Sequence, residues 1–404
     1  MPQAIESARE RMFSDPRPRA FRQQRRAISF RRRLVRKKES LVAATSVEVG
    51  IVGLGRWAKV LTRASLGSDA LRIVAGYSRS EENRAAFAQE FGIEVVPDLA
   101  AMLAEPGLTG VILTVPNEQH LPIAREVAAA GKHVYTEKPI ASTLEEGLEI
   151  EALERFHGVT VTVGHSARLM AGIRAIRAAI DGGELGRVGF IEANFSNERA
   201  LELTPKTWRW YKDKAPGGPL SQLAIHQFDV LHYLGGEIVE ASSMASKLSP
   251  VGAEVDDQSM TLLKFADGKV GYVGACWTSP GVFAVRVFGS KGLMHYEIDF
   301  GTWDTPNELH KTSTLYIQRG KDGYGKRQEL TIPESDMFRA ELEMFADSCR
   351  TGRSGELDAR NGNMAVAVVY AALRSIEKHG QAVRIADVMA EAHRRLAERN
   401  RHVA

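Results

Sequence analysis

The chain has 404 residues, 44% of them hydrophobic and 25% charged, with a net charge of +3. Those proportions exclude collagen-like, low-complexity and largely disordered classes, and the length predicts two domains. The small net charge hides a split: residues 1–45 hold thirteen Arg and Lys against four Asp and Glu, so the total of +3 less this local +9 leaves −6 elsewhere.

The basic leader reads as a disordered extension, because charge runs are usually solvated, with Met12 as a later start candidate. A twin-arginine export signal needs an apolar stretch after its arginines, and the LVAATSVEVGIVGLG that follows has a better use. A transit peptide is Arg-rich and acid-poor, which fits in part. Nucleic-acid binding would use the clustered cations, yet few aromatics, Phe21 and Phe30 among them, interleave with them. Neither nucleic acid nor a membrane is expected as a partner, since no run of about 20 apolar residues occurs. Two cysteines, Cys276 and Cys349, make no disulfide framework or zinc pattern. A cytoplasmic setting and no metal are the corresponding expectations.

Order is expected from Val47. The run Val47 to Val52 is short, apolar and β-branched, as a strand buried on both faces should be. GLGRWA follows, so Gly53, Gly55 and Ala58 match G-x-G-x-x-G/A, with Lys59 to Ser65 opening a helix. The first glycine permits a tight turn, the second lets a pyrophosphate approach the backbone, and the small third residue lets helix pack on strand. Strand–turn–helix context makes this a dinucleotide fingerprint, with Arg56 and Trp57 beside the phosphates. The next strand, Leu71 to Tyr77, ends on Ser78 and Arg79, where an NAD enzyme commonly has Asp or Glu. A hydroxyl and a guanidinium welcome a 2′-phosphate that a carboxylate would repel, so NADP is preferred. NAD stays open, with Glu81 or Glu82 serving the ribose.

Strands and helices continue to alternate: helix from Glu82 to Phe91 and Ala100 to Ala104, strand Gly110 to Val115, helix Asn117 to Ala130, strand His133 to Thr136. The implied fold class is α/β, with an N-terminal doubly wound parallel sheet binding its ligand at the strands' carboxyl ends. TVPNEQH, carrying Thr114, Pro116, Asn117 and His120, sits at one such end. TEKP, carrying Glu137 and Lys138, sits at another.

With GLGRWA, TVPNEQH, TEKP, VGHSARL and GGPLSQLAIHQFD in this order, the chain resembles the Gfo/Idh/MocA family of NAD(P)-dependent oxidoreductases from Val47 to about Ile385. The resemblance implies a Rossmann domain, here residues 46–165, and a substrate-binding and oligomerisation domain, 166–404. The second would carry a large, mostly antiparallel open sheet of the kind that forms subunit interfaces, hence a homodimer or homotetramer. Runs at Arg187 to Ser196, Val239 to Lys247, Asp257 to Phe265, Val270 to Thr278 and Phe283 to Gly289 read independently as strands. Asp267-Gly268 and Gly289 to Gly292 read as tight turns. Phe338 to Cys349 and Gly362 to Gly380 read as closing helices.

Hydride transfer from a secondary alcohol needs a nicotinamide, a base for the hydroxyl proton and a donor that steadies the alkoxide. Lys138 is the first candidate, because an ammonium beside the cofactor can hydrogen-bond the oxygen. The resemblance places the family's lysine here, with a cis bond at Pro139. His226, after the Gly217-Gly218-Pro219 bend, could take the proton near neutral pH. A core histidine is its plain alternative, and His232 reads as structural.

Many sugar and cyclitol dehydrogenases of this family have Asp four residues before that histidine, where this chain has Gln222. At i and i+4 on a helix, Gln222 could still hydrogen-bond His226 or a substrate hydroxyl, but it cannot ionise. Either His226 works with Lys138, or Lys138 is the main acid/base. His165, Arg168, Trp208 and Arg209 are further substrate-facing candidates, since tryptophans and arginines stack on hydroxylated rings; packing of Trp208 to Tyr211 at a domain junction is the alternative. The expected activity is an NADP-preferring dehydrogenase or reductase on a sugar, cyclitol or related polyhydroxylated ring. The alternatives are a glycosidase that oxidises its sugar transiently on a held NAD, and a non-catalytic nicotinamide-binding sensor.

Overall fold

Two sheets organise the chain. The computed structural model describes residues 46–298, 300–303, 305–321 and 325–403, and the basic leader lies outside them. The first sheet has six strands: β1 (Val47–Val52), β2 (Leu71–Tyr77), β3 (Glu94–Val95), β4 (Gly110–Leu113), β5 (His133–Glu137) and β6 (Val161–Gly164). Their order is β3-β2-β1-β4-β5-β6, every pair parallel. The order reverses between β1 and β4, and an open parallel sheet binds ligands at such a switch point. β4 and β6 are buried throughout and β1 nearly so, as strands covered on both faces must be.

Helices α1 (Arg56–Ser65), α2 (Glu81–Phe91), α3 (Leu99–Leu103), α4 (His120–Ala129) and α5 (Leu144–His157) connect these strands. The helix expected from Asn117 begins instead as a 3₁₀ turn, Asn117–Gln119, so regular α geometry starts at His120. Helix α5 begins with a full capping box: the Glu146 amide donates to Thr143 Oγ1, and the Thr143 amide donates back to the Glu146 carboxylate.

α6 (Ala171–Asp181) leads into the second sheet, which has nine strands. They are β7 (Val188–Ser196), β8 (Ile238–Ser246), β9 (Gln258–Phe265), β10 (Val270–Cys276), β11 (Val282–Gly289), β12 (Gly292–Ile298), β13 (Thr314–Arg319), β14 (Arg327–Glu329) and β15 (Val383–Arg384). Their order is β14-β13-β12-β11-β7-β10-β9-β8-β15. Only β7 and β10 pair in parallel; the other neighbours are antiparallel. The turn at Asp267-Gly268 joins β9 to β10, with Gly268 at φ +89°. α7 (Ile225–Gly235), the short α8 (Leu309–Thr312), α9 (Met337–Thr351), α10 (Ala359–Glu377) and α11 (Ile385–Val403) complete the chain. The last is a helix of 19 residues, where the family resemblance left only a turn or two. No helix among the described residues is long and apolar enough to cross a membrane.

One face of the second sheet packs on α7 and α10 and holds fully buried Phe265, Phe283 and Tyr296. The first sheet's core joins it through α10, which packs on β8 and also on α5 and β6, while Phe345 of α9 meets Tyr135 of β5 edge-on at 5.7 Å. Val47–Ala404 thus form one compact unit carrying both sheets.

Candidate active site

The turn from β1 to α1 is built for an anion. Gly53 sits at φ +95°, where an L side chain is strained, and a Cβ there would lie 2.8 Å from the Thr114 carbonyl oxygen. Thr114 fastens the turn by donating its hydroxyl to the Gly53 carbonyl at 2.8 Å. A Cβ on Gly55 would meet nothing within 4 Å. Gly55 is the N-cap of α1, no side chain caps it, and the first turn carries no acid. The neighbouring α2 and α5, by contrast, carry Glu81 and Glu82, and Glu145 and Glu146, in their first turns. A helix N-terminus with no acid in its first turn, beside open space, fits a dinucleotide's pyrophosphate.

At the carboxyl end of β2, Arg79 is exposed and Ser78 partly so. Arg84, one turn into α2, donates to the carbonyls of Ser78 at 2.6 Å and Arg79 at 3.3 Å. The loop therefore presents two guanidinium groups and a hydroxyl. Arg84 was not among the expected site residues; its signal was the i+5 spacing from Arg79 on the first turns of a helix.

A cavity of about 860 Å³ opens between the carboxyl ends of the parallel strands and the second sheet. Of the expected residues, Arg56, Trp57, Thr114, Pro116, Asn117, Glu137, Lys138, Trp208, Arg209, Gln222 and His226 line it. Lys138 follows β5 directly, and its peptide bond to Pro139 is cis. Its Nζ donates to the Gln222 carbonyl at 3.3 Å, tying the first sheet to the Leu220–Ala224 turn. Burial, with the charges of Arg209 and Arg199, outweighs Glu137 and brings the Lys138 ammonium down to about 8. Glu137 itself is buried and accepts from the Tyr135 hydroxyl at 3.2 Å. Burial raises its pKa, and Glu341 of α9, fully buried nearby, is raised further by the same cause.

His226 closes the opposite wall, its ring 5.4 Å from Phe195 and 5.9 Å from Trp303 between centroids. Burial first, then the charges of Lys138 and His165, holds its pKa far below 6.5. The imidazole is neutral at physiological pH, so it can donate or accept one hydrogen bond without ionising.

Several expected contacts are not made. Residues Leu220–Ala224 form a π-helical turn before α7 begins at Ile225, so Gln222 and His226 do not share an α-helical i, i+4 face. Gln222 Oε1 instead accepts from Arg209 Nε at 3.4 Å, and His226 Nδ1 makes no hydrogen bond among the described residues. Arg168 lies outside the cavity lining and is spent on packing. It donates through Nε to Asp229 Oδ2 at 2.9 Å, through Nη2 to Asp229 Oδ1, and through Nη1 to the Glu356 carbonyl at 2.8 Å.

His165 is buried behind the wall formed by Gly164 and Ser166, with Nδ1 3.9 Å from Asp229 Oδ1. Burial brings its pKa down to about 4. His120 is fully buried, its Nδ1 3.1 Å from the Pro139 carbonyl and its Nε2 3.1 Å from that of Val115. It braces the Thr114–Asn117 and Glu137–Pro139 loops against each other. Trp208 and Arg209 face the cavity, whereas Trp210 turns away toward Gly252.

The lining also includes Asn197 and Arg199, just past the carboxyl end of β7, together with Trp277, Phe300 and Trp303. Their signal was position after a strand end: Asn197 and Arg199 follow β7, Trp277 follows β10, and Phe300 and Trp303 follow β12.

Comparison with known proteins gives the same reading for both sheets. Residues 47–165 match the oxidoreductase family with an NAD-binding Rossmann fold, and residues 173–295 match the Gfo/Idh/MocA C-terminal domain. The chain is similar, at 36% identity and a TM-score of 0.82, to a candidate NADPH-dependent oxidoreductase of Desulfitobacterium hafniense, over 85% of this chain and 99% of that one. Inositol 2-dehydrogenase 1 of Saccharopolyspora erythraea is 27% identical over 82% of this chain and 94% of that enzyme. A levoglucosan dehydrogenase solved with NADH shares the fold at 22% identity and a TM-score of 0.74, over 84% of this chain and 99% of that one. The chain belongs to the Gfo/Idh/MocA family and is an NAD(P)-dependent oxidoreductase.

Proposed function

We propose that this enzyme transfers a hydride between NADP, preferred over NAD, and a secondary alcohol or ketone of a sugar, cyclitol or related polyhydroxylated ring. The observation that carries the proposal is the meeting of Lys138 Nζ, the Gln222 carbonyl and the neutral His226 in one cavity, beside the N-terminus of α1, whose first turn carries no acid. The inositol and levoglucosan dehydrogenases among its relatives support the substrate class. Gly53, Gly55, Arg56 and Trp57 would hold the pyrophosphate side of the dinucleotide, Ser78 and Arg79 its 2′-phosphate. Thr114, Pro116, Asn117 and Glu137 would flank the nicotinamide. When bound, the nicotinamide accepts or delivers the hydride.

The chain's own residues handle the proton. In oxidation, the free amine of Lys138 takes the hydroxyl proton; in reduction, its ammonium returns one to the nascent alkoxide. His226 orients the same hydroxyl by a hydrogen bond and stays neutral. Gln222 positions Lys138 through its carbonyl and keeps Arg209 in place through its amide oxygen. With Lys138 near 8, kcat/KM for oxidation should climb with pH and level off above about 8, and that for reduction should fall over the same range. A limb near 6.5 in place of one near 8 would count against Lys138 as the acid/base.

Cofactor choice is tested by titration calorimetry. NADP should bind more tightly than NAD to the native chain, and Arg79→Glu should reverse the order, because its carboxylate would repel the 2′-phosphate and accept from ribose hydroxyls. Equal or tighter NAD binding by the native chain would remove the assignment of Ser78 and Arg79.

A further inference from the structure

Three cations converge on the cavity, and among the described residues no carboxylate lies within ion-pair distance of any of them. Lys138, Arg199 and Arg209 all line it. The acids that also line it are engaged elsewhere: Glu118 and Asp213 hold Lys214 at 3.1 Å and 3.9 Å, and buried Glu137 accepts from Tyr135. Among the described residues, Arg209 is held by neutral groups only. Its Nε donates to Gln222 Oε1 at 3.4 Å, and its guanidinium lies 4.2 Å from the Trp208 ring centre. The Arg199 side chain makes no hydrogen bond or ion pair among the described residues; only its amide bonds, to Asn197 Oδ1 at 3.1 Å.

Several other part-buried arginines of this chain have a carboxylate, while Arg84 and Arg339 bond backbone carbonyls instead. Arg168 has Asp229, Arg174 has Glu356, Arg286 has Glu192 and Arg374 has Glu391. A guanidinium cannot shed its charge as a lysine can, so withdrawing one from water without a counter-ion costs stability. Burial and the charge of Arg199 bring even Arg209 down to about 10. Position separates this pair from the dinucleotide's phosphates. Arg209 bonds the residue whose carbonyl holds Lys138 Nζ, whereas the pyrophosphate and 2′-phosphate sites lie at α1 and the end of β2.

Resting on the dehydrogenase reading above, we propose that the polyhydroxylated substrate carries an anionic oxygen group, a carboxylate or a phosphate, held by Arg199 and Arg209 while its carbinol meets Lys138. Planar guanidinium groups suit either anion, and the ring hydroxyls remain for Gln222, Asn197 and His226.

The test measures binding of D-glucuronate, D-glucose 6-phosphate and D-glucose to the NADP-saturated full chain. At least one anionic sugar should bind roughly ten- to a hundredfold more tightly than glucose, the range expected of charge-assisted hydrogen bonds. The tighter of the two identifies carboxylate or phosphate. In Arg199→Gln/Arg209→Gln the anionic preference should fall to near one, and the half-exposed Arg199→Gln alone should lower it part of the way. Equal affinities in the native chain, a preference that survives in the double variant, or no binding by any of the three would overturn the proposal. Oxidation of neutral sugars at full rate with no anionic preference would remove only the anion, leaving the dehydrogenase reading intact. Failure of the chain to bind NADP would remove that underlying reading itself.

Discussion

Lys138→Met should lower kcat/KM by about 10²- to 10⁴-fold, the usual worth of a positioned acid or base. NADP affinity should change far less, because the hydrogen bond of Lys138 Nζ among the described residues runs to Gln222 rather than toward α1. The same variant should unfold at an equal or higher temperature. In the native chain, burial and two arginines oppose the Lys138 charge, so folding at neutral pH bears its cost. Methionine keeps the length of the side chain and removes that cost. Activity lost together with stability would mark Lys138 as a packing residue. Activity lost with stability kept assigns it to the chemistry.

Asp229→Ala should cost about 3–5 kcal/mol of stability in denaturant unfolding, the largest structural effect expected of a single substitution here. It would leave the Arg168 guanidinium buried, with only the Glu356 carbonyl and the Tyr233 ring 5.5 Å away. Arg168→Met should be milder, since Asp229 can escape its burial by taking a proton once its partner is gone. Arg168→Met/Asp229→Leu should recover much of the loss, because a buried ion pair replaced by apolar groups is often neutral. Kinetics separate the two roles of Arg168. If Arg168→Met raised KM for substrate while leaving the unfolding transition in place, the arginine would face substrate as the VGHSARL motif suggested, and its pairing with Asp229 would be incidental.

Legibility in the sequence followed the range of the interactions. The buried strand, glycine turn and helix from Val47 to Ser65 are local, and period and spacing suffice to read them. Strand edges drifted by a residue or two, as at Val188 and Ile238. Strands β12 and β13 were missed, although in β12 the alternation of buried Met294, Tyr296 and Ile298 with His295 and Glu297 was legible.

The π-turn at Leu220–Ala224 was illegible for a different reason: its sequence has the composition of an α-helix, and the close approach of Gly218 to Asp256 and Trp277 just before it is a long-range contact. Arg168 looked like a substrate ligand because its partner lies 61 residues away. His120 and His165 were named from motif position, which brings a residue near the site without saying which way its ring points. The converging cations Arg199 and Arg209 needed the fold as well, since whether an arginine lacks an acid is a property of the assembled structure.

The most direct test of hydride transfer is the 340 nm absorbance of the full chain supplied with NADP and a panel of neutral and anionic sugars and cyclitols, with product quantified in parallel. One NADPH formed per substrate oxidised is the predicted result. Sugar consumed with no net change in absorbance would contradict it in favour of a glycosidase that recycles its cofactor. Tight NADP binding without turnover of any ring would contradict it in favour of a sensor.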